Sequence, residues 1–287
     1  MIIPEWIISG LKEREKSKEL LHTLKVKSIF TVCEEAQCPN IGTCFNRKTA
    51  TFLLMGAICT RNCTFCAVGS GIPEPLDSDE PQRVAEMVRD LGLQHTVITS
   101  VTRDDIADGG AEHYVRTIDA VRKINERVTI EVLIPDFNGN TDFIDRVIEE
   151  KPEVINHNIE TIERLYKEVR PQANYERSLN LLSRVKEKND EILTKSGMMV
   201  GLGEREEEVY KAMDDLLNAG VQVLTIGQYL RPTRLHHNVD RYVTPEEFDR
   251  YKEVGLEKGF AAVASGPFVR SSYRARELYQ EASKRIS

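Results

Sequence analysis

Six cysteines are the residues of this 287-residue chain whose type and spacing most directly suggest chemistry. All six lie between Cys33 and Cys66, and the rest of the chain has none. Disulfides are rare in a reducing cytosol, and they tend to join distant parts of small secreted chains. Thiols that cluster in one part of a large chain are more often metal ligands. The sequence therefore predicts metal centres near the N-terminus.

The second cysteine triplet has the spacing C-x3-C-x2-C and consists of Cys59, Cys63 and Cys66. It follows the first predicted strand, and in a barrel this end of a strand carries the active site. Three thiolates can bind three irons of a [4Fe–4S] cluster, which leaves the fourth iron open to a small molecule. Phe65 would place a ring beside the cluster. A structural zinc site is the alternative, but zinc normally takes four protein ligands and no fourth is adjacent.

The first triplet has the spacing C-x4-C-x5-C and consists of Cys33, Cys38 and Cys44. Three further thiolates predict a second site that is also short of one protein ligand. On spacing alone, zinc remains an alternative at this site.

From residue 51 onward, apolar runs of strand length alternate with segments of helical periodicity. The predicted strands are 51–58, 95–101, 128–135, 153–159, 192–202, 221–230 and 260–265. The predicted helices are 81–91, 114–125, 141–150, 161–169, 174–189, 204–219, 245–258 and 272–284, and a further helix is predicted at 6–23. This alternation predicts βαβ units and a parallel sheet.

Six regular units and a less regular tail favour an α/β fold, a partial (βα)6 TIM-type barrel, with a doubly wound sheet as the alternative. The predicted domains are an N-terminal extension, 1–50, which carries the first triplet, and a barrel, 51–287, which ends in a C-terminal helical tail.

The combination of motifs resembles a known family. C-x3-C-x2-C with an aromatic residue before the last cysteine, placed after the first strand, resembles the radical S-adenosylmethionine (SAM) superfamily. Its pairing with C-x4-C-x5-C resembles the lipoyl synthase family within it. VTRDDIADGGA, NHNIETIERLY, KSGMMVGLGE and VRSSYRA are also similar to that family. The resemblance covers about residues 5–280.

The resemblance implies a reaction and its cofactors. The open iron of the Cys59, Cys63 and Cys66 cluster would chelate SAM, and one electron would cleave it to a 5′-deoxyadenosyl radical. Such radicals remove hydrogen atoms from C6 and C8 of a protein-bound octanoyl group, so two SAM molecules are used per product. The sulfur atoms would come from a second, auxiliary [4Fe–4S] cluster, which is destroyed in the process, and the product is a lipoyl group.

The same resemblance implies partners. The substrate would be an octanoylated lipoyl carrier domain, either a dehydrogenase E2 subunit or the glycine cleavage H protein. A ferredoxin or flavodoxin would donate the electron.

The fourth ligand of the auxiliary cluster is implied by an R-S-S-Y motif, matched by Arg270-Ser271-Ser272-Tyr273. In the family the first serine is thought to bind iron, hence Ser271. From the sequence alone, either serine would more readily be the N-cap of the last helix. With the resemblance, that capping role is expected only of Ser272.

Several polar or glycine residues after strands are expected near SAM through the resemblance. They are Gly109, Gly110, Asn158, Glu160 and Arg231, although Arg231 could equally point outward. His157, between two of them, is interpreted as a core histidine. Gly201-Leu202-Gly203-Glu204 is interpreted as a tight turn near SAM, because it lacks the spacing of a dinucleotide fingerprint.

His236 and His237 are a weak signal for metal, because adjacent residues rarely face one site. The segment HHNVDRYV also departs from the H-x-P-V form expected of the family.

The overall composition excludes some classes of function. Lys and Arg number 39 against 46 Asp and Glu, a net charge of −7, so a broad nucleic-acid surface is not expected. No apolar run is long enough to span a bilayer, and the N-terminus lacks secretory-signal features. The expectation is a cytoplasmic enzyme that does not bind membranes. The alternatives to a function of the lipoyl synthase type are another two-cluster radical SAM enzyme that inserts sulfur, a two-cluster electron carrier, or a binding module stabilised by zinc.

Overall fold

The computed structural model describes residues 4–10, 24, 26–36, 38, 40 and 51–286. The chain divides into two compact units. The first unit contains residues 5–61 and 67–153, and the second contains residues 1–4, 62–66 and 154–287. The domain boundary predicted at residue 50 remains a prediction.

The first unit is built on a four-stranded sheet. Its strands lie in the order Phe30–Thr31 (β1), Thr51–Leu54 (β2), His95–Ser100 (β5) and Thr129–Leu133 (β6). β1 pairs with β2 in antiparallel fashion, and the other pairings are parallel. Ile58–Cys59 (β3) and Gly69–Ser70 (β4) form a separate parallel pair. The α-helices are Glu5–Gly10 (α1), Val32–Glu35 (α2), Glu80–Asp90 (α3), Ala111–Ile124 (α4) and Thr141–Glu149 (α5), and Phe137–Gly139 is a 3-10 helix.

The second unit also has a parallel sheet with helices between its strands. Its strands lie in the order Val154–Asn156 (β7), Leu193–Val200 (β8), Val223–Gln228 (β9) and Ala262–Gly266 (β10). Its α-helices are Tyr166–Val169 (α6), Tyr175–Lys188 (α7), Glu206–Asn218 (α8), Pro245–Lys258 (α9) and Ala275–Ile286 (α10), and Glu163–Leu165 is a 3-10 helix.

The helices form where apolar residues recur at helical spacing next to good caps. α9 begins at Pro245 because the Thr244 hydroxyl accepts a hydrogen bond from the Glu247 amide and the Glu247 carboxylate accepts one from the Thr244 amide. This reciprocal pair satisfies two amide donors that the first helical turn would leave unpaired. The predicted helix 245–258 is therefore confirmed at both ends. The predicted helix 6–23 is described only over α1, because residues 11–23 lie outside the described residues.

β2 ends earlier than predicted, at Leu54, because the backbone changes direction there. Met55 has φ +68° and Gly56 has φ +88°, which no strand can contain. The buried carboxylate of Glu80 accepts hydrogen bonds from the Met55 amide (2.8 Å) and from the His113 ring (2.6 Å). These contacts fix the point at which the chain leaves the sheet toward Cys59.

No helix in the described part of the chain is long and apolar enough to cross a membrane.

Candidate functional site

Cys59 lies at the end of β3, in the first unit. Its sulfur accepts hydrogen bonds from the backbone amides of Arg61 (3.4 Å) and Thr102 (3.3 Å). Amide donors that point at a sulfur stabilise a thiolate, and such bonds help to set the potential of an iron–sulfur cluster. The surroundings of Cys59 therefore suit a cluster ligand.

Cys63 and Cys66 form a turn that belongs to the second unit. The Cys66 amide donates to the Cys63 carbonyl (3.1 Å), and the Thr64 amide donates to the Val169 carbonyl (3.0 Å). The Asn62 amide donates to Gln172 (2.6 Å). Phe65 is half-buried within this turn. The turn is thus held by the last residue of α6 and by the segment after it.

The donor set of this triplet fits an iron–sulfur cluster better than a single ion. Three cysteine thiolates are the kind of donor set that holds a [4Fe–4S] cluster. A structural zinc site normally takes four protein ligands.

The loop between Cys59 and Cys63 is anchored by Arg61, whose role could not be predicted from the sequence. Its guanidinium donates to both carboxylate oxygens of Asp104 (2.7 and 2.9 Å) and to Asn138 (2.8 Å), and it pairs with Asp136 (2.8 Å). The Arg61 side chain is only 5% exposed. A planar guanidinium can hold a carboxylate with two parallel bonds, which fixes geometry as well as charge. Arg61 therefore ties the loop between Cys59 and Cys63 to its own unit.

We expect Arg61→Ala to destabilise the apoprotein by about 3 kcal/mol, because it leaves the buried Asp136 carboxylate without this cation. Arg61→Lys should be intermediate, since lysine keeps the charge but not the planar fork. The measurement is denaturant unfolding under anaerobic conditions. Arg205, which is 66% exposed and pairs with Glu208, is the matched control. Equal losses for Arg61→Ala and Arg205→Ala would show that the buried network does not stabilise the loop.

Gly109 and Gly110 precede α4 in left-handed backbone conformations, with φ of +62° and +88°. A side chain at Gly110 would collide with the Met55 sulfur, and one at Gly109 would press on Phe137. Asp108 accepts hydrogen bonds from the amides of Gly110 and Glu112 (both 2.9 Å). Glycine is required here by backbone conformation and packing.

Three residues that the sequence analysis singled out separately meet in the second unit. The Asn158 side-chain amide donates to the Ser271 hydroxyl (2.6 Å) and to the Glu160 carboxylate (2.9 Å). Arg170 donates to the carbonyls of Asn158 (3.0 Å) and Ile159 (3.2 Å). Burial raises the pKa of Glu160, while the charge of Arg170 and the Asn158 donor act in the opposite direction. Asn158 thus bridges a residue expected near SAM and the serine expected at the auxiliary cluster.

The prediction that Ser272 caps the last helix is wrong. α10 begins at Ala275, so Arg274 directly precedes it. The Ser272 carbonyl accepts from the Ala275 amide (3.3 Å), a turn before the helix. Arg274 has φ +49°, which separates the R-S-S-Y motif from the helix. Ser271 lies still farther from the helix start and caps nothing there.

Other predicted residues have clear surroundings. His157 is buried and its ring bonds to Ser178 (2.9 Å), which confirms a core histidine. The turn at Gly201 is also confirmed: Glu204 accepts from the amides of Gly201 (2.7 Å) and Leu202 (2.9 Å). Arg231 donates to the His236 carbonyl (2.9 Å) and to that of Arg234, so it stabilises its own loop.

The first triplet is described in part. Cys33 is buried on α2, and the Cys38 amide donates to the Cys33 carbonyl (3.1 Å). Cys44 lies outside the described residues. The described cysteines, Cys33, Cys38, Cys59, Cys63 and Cys66, are all thiols.

Comparison with known proteins places the chain in a family. Residues 53–216 match the family model of the radical SAM superfamily. The chain is 58% identical to a lipoyl synthase of Caldanaerobacter subterraneus subsp. tengcongensis, and the match covers 95% of each chain. It is 53% identical to a lipoyl synthase of Rubrobacter xylanophilus, over 98% of this chain and 88% of that one.

Solved structures show the same fold at low sequence identity. SuiB of Streptococcus suis bound to S-adenosylmethionine matches with a TM-score of 0.59 and 10% identity, over 87% of this chain and 61% of that one. Methylornithine synthase matches with a TM-score of 0.52 and 13% identity, over 81% and 80%. The predicted α/β fold class, a partial barrel of strand–helix units, is confirmed. The chain belongs to the lipoyl synthase family of the radical SAM superfamily.

Proposed function

We propose that this chain is a lipoyl synthase, which inserts two sulfur atoms, at C6 and C8, into an octanoyl group held on a lipoyl carrier domain. The observation that carries this proposal is the identity of 58% to a lipoyl synthase over 95% of both chains. Both cysteine triplets and the Arg270-Ser271-Ser272-Tyr273 motif lie in this one sequence. Another two-cluster radical SAM enzyme that inserts sulfur elsewhere is the alternative, and it is less favoured because it does not account for that motif pair.

Cys59, Cys63 and Cys66 would hold the radical SAM cluster. With SAM bound, this cluster supplies a carbon-centred radical, which can remove a hydrogen atom from a carbon that no side-chain base could deprotonate. The contribution of the chain is to present three thiolates in fixed positions. Amide donors to the Cys59 sulfur and the Arg61 anchor serve that purpose in the first unit.

Asn158 and Glu160 are proposed to contact SAM, as is the backbone at Gly109 and Gly110. The Asn158 side-chain oxygen is buried and accepts no hydrogen bond within the described part of the chain. A buried acceptor of this kind costs free energy unless a ligand supplies the donor. Arg231 is also proposed to meet a carboxylate, because two of its five N–H donors suffice for its loop contacts.

Cys33, Cys38, Cys44 and Ser271 are proposed to hold the auxiliary [4Fe–4S] cluster, the source of the sulfur. An alkoxide is a harder ligand than a thiolate and suits iron in a sulfur cluster less well. A serine at the fourth position would therefore release its iron more readily than a cysteine. The short bond from Asn158 to Ser271 gives this oxygen a fixed orientation.

The proposed partners are an octanoylated dehydrogenase E2 subunit or glycine cleavage H protein, and a one-electron donor such as ferredoxin or flavodoxin. The net charge of −7 does not favour an acidic carrier, so docking would need a local basic rim. We propose a cytoplasmic location, without nucleic-acid or membrane binding.

The decisive experiment is anaerobic turnover with an octanoylated lysine peptide, SAM and a reductant, read by mass. Replacement of two hydrogens by two sulfurs is the expected result. Metal analysis of the same preparation should give about eight irons per chain, as two [4Fe–4S] clusters require. Stoichiometric zinc without iron would overturn the proposal.

A further inference from the structure

The two adjacent histidines that sequence analysis set aside as a weak metal signal have a different role in the structure. They lie in the segment that follows β9, residues 229–237. The His236 ring contacts the Cys66 carbonyl through Nε2 (2.9 Å). The His237 backbone amide donates to the Thr64 carbonyl (2.8 Å). This segment therefore makes two hydrogen bonds to the turn that contains Cys63 and Cys66. All of these residues belong to the second unit.

The hydrogen bonds around His236 define which ring nitrogen carries the proton. The Cys66 carbonyl can only accept, so Nε2 is the donor. The other nitrogen, Nδ1, lies 2.8 Å from the Thr233 hydroxyl, which in turn accepts from the Leu235 amide (3.2 Å). Both ring nitrogens of His236 are therefore engaged, and the ring is held in one orientation with Nε2 toward the turn that contains Cys63 and Cys66.

The carbonyl group of His236 is fixed as well. Arg231 donates to it (2.9 Å), and the Tyr229 hydroxyl donates to the next carbonyl, that of His237 (2.8 Å). Tyr229 is buried, 1% exposed, so the base of the segment is anchored in the core. The His236 ring thus links the backbone of Cys66 to a segment that is anchored in the core by Tyr229.

We propose that His236 is a positioning residue for the radical SAM cluster: its Nε2–H bond to the Cys66 carbonyl fixes the turn that presents Cys63 and Cys66. The inference rests on the proposed function, because it assumes that these cysteines bind the cluster. Groups that orient cluster ligands tune the affinity and the potential of the metal centre without touching the metal.

His237 provides a matched control in the adjacent position. It contacts the turn through its main chain, which any residue retains. Its ring makes long polar contacts, to Glu168 (3.6 Å) and to the Leu202 carbonyl (3.4 Å), and lies 6.2 Å from the Tyr229 ring between centroids. Removal of the His237 ring should therefore leave both hydrogen bonds to the turn intact, the one from the His237 amide and the one from the His236 ring.

The test compares His236→Ala, His236→Gln and His237→Ala in full-length chain in which Cys33, Cys38 and Cys44 are replaced by Ala, so that only one cluster contributes. The readouts are iron loss to a chelator, the EPR spectrum and midpoint potential of the reduced cluster, and the kcat and KM of SAM cleavage. For His236→Ala we expect about tenfold faster iron loss, a shifted spectrum and about tenfold lower kcat, the scale seen for outer-shell partners. Gln can donate from its amide to the same carbonyl and should restore most of the effect.

The outcomes separate the two proposals. If the parent chain with only this cluster binds no iron or leaves SAM intact, the proposed function fails, and this inference fails with it. If that chain cleaves SAM but His236→Ala and His237→Ala lose iron equally fast and give the same spectrum, only the inference is overturned. If His236→Ala only lowers the melting temperature, with an unchanged spectrum and potential, His236 has a general structural role and the positioning role is again overturned.

Discussion

Replacement of Cys59, Cys63 or Cys66 by Ala is expected to abolish SAM cleavage, with no 5′-deoxyadenosine detectable above a protein-free control. The three thiolates are proposed to hold the cluster through which an electron reaches SAM. The loss should be complete for each single variant, because two thiolates leave a second iron corner without its protein ligand. The measurement is chromatography of anaerobic reactions with a chemical reductant. Formation at the rate of the unmodified chain by any of the three variants would refute the assignment.

The matched comparison is the first triplet. Replacement of Cys33, Cys38 or Cys44 by Ala should preserve SAM cleavage while no sulfur enters the octanoyl chain, because these residues are proposed to hold the sulfur source and not the electron route. Mass analysis of the peptide and chromatography of the nucleoside in the same reaction separate the two effects. Sulfur insertion by a Cys33→Ala variant would show that the sulfur comes from elsewhere.

The alternation of strands and helices was predictable because each element carries its own signal. The run His95–Ser100 is β-branched and buried, and the cap at Thr244 marks the start of α9. The early end of β2 was not predictable, because the apolar run TFLLMGAI continues through it. The turn at Met55 depends on a contact with Glu80, 25 residues later, and no local periodicity reports such a contact.

The cysteines of the candidate site could be identified from their spacing, but the residues that hold them in place could not. Arg61 lies inside the cysteine motif, yet its partners Asp104 and Asn138 follow 43 and 77 residues later. Each of these residues looks like an ordinary surface charge or amide until the fold brings their side chains into contact. The same holds for Asn158 and Ser271, which are 113 residues apart in sequence and 2.6 Å apart in the structure. From the sequence, separate roles were predicted for Asn158 and Ser271, and their contact could not be predicted.

The hydrogen bond between Asn158 and Ser271 changes the alternative hypothesis against which a Ser271 variant must be tested. Ser271 is not a helix cap, so the rival to the iron-ligand hypothesis is a hydrogen bond that serves only stability. Loss of such a bond costs about 1 kcal/mol and leaves the chemistry of the folded fraction unchanged. Ser272→Ala is the control, because Ser272 is a partly exposed neighbour of the same type.

If the Ser271 oxygen binds the iron that must leave the auxiliary cluster, Ser271→Ala should still permit SAM cleavage but lose most sulfur insertion. The reason is that release of this iron and transfer of sulfur are coupled at the same corner of that cluster. Ser271→Cys should assemble the auxiliary cluster yet resist its dismantling, since a thiolate is the softer and better matched ligand. Iron release during turnover, measured with a chelator beside product mass and a melting curve, distinguishes these cases. Normal lipoyl formation by Ser271→Ala with only a lowered melting temperature would leave the bond to Asn158 as the whole role of this serine. A stalled cluster in Ser271→Cys, with normal turnover in Ser272→Ala, would instead show that the hardness of the serine oxygen is what lets the iron go.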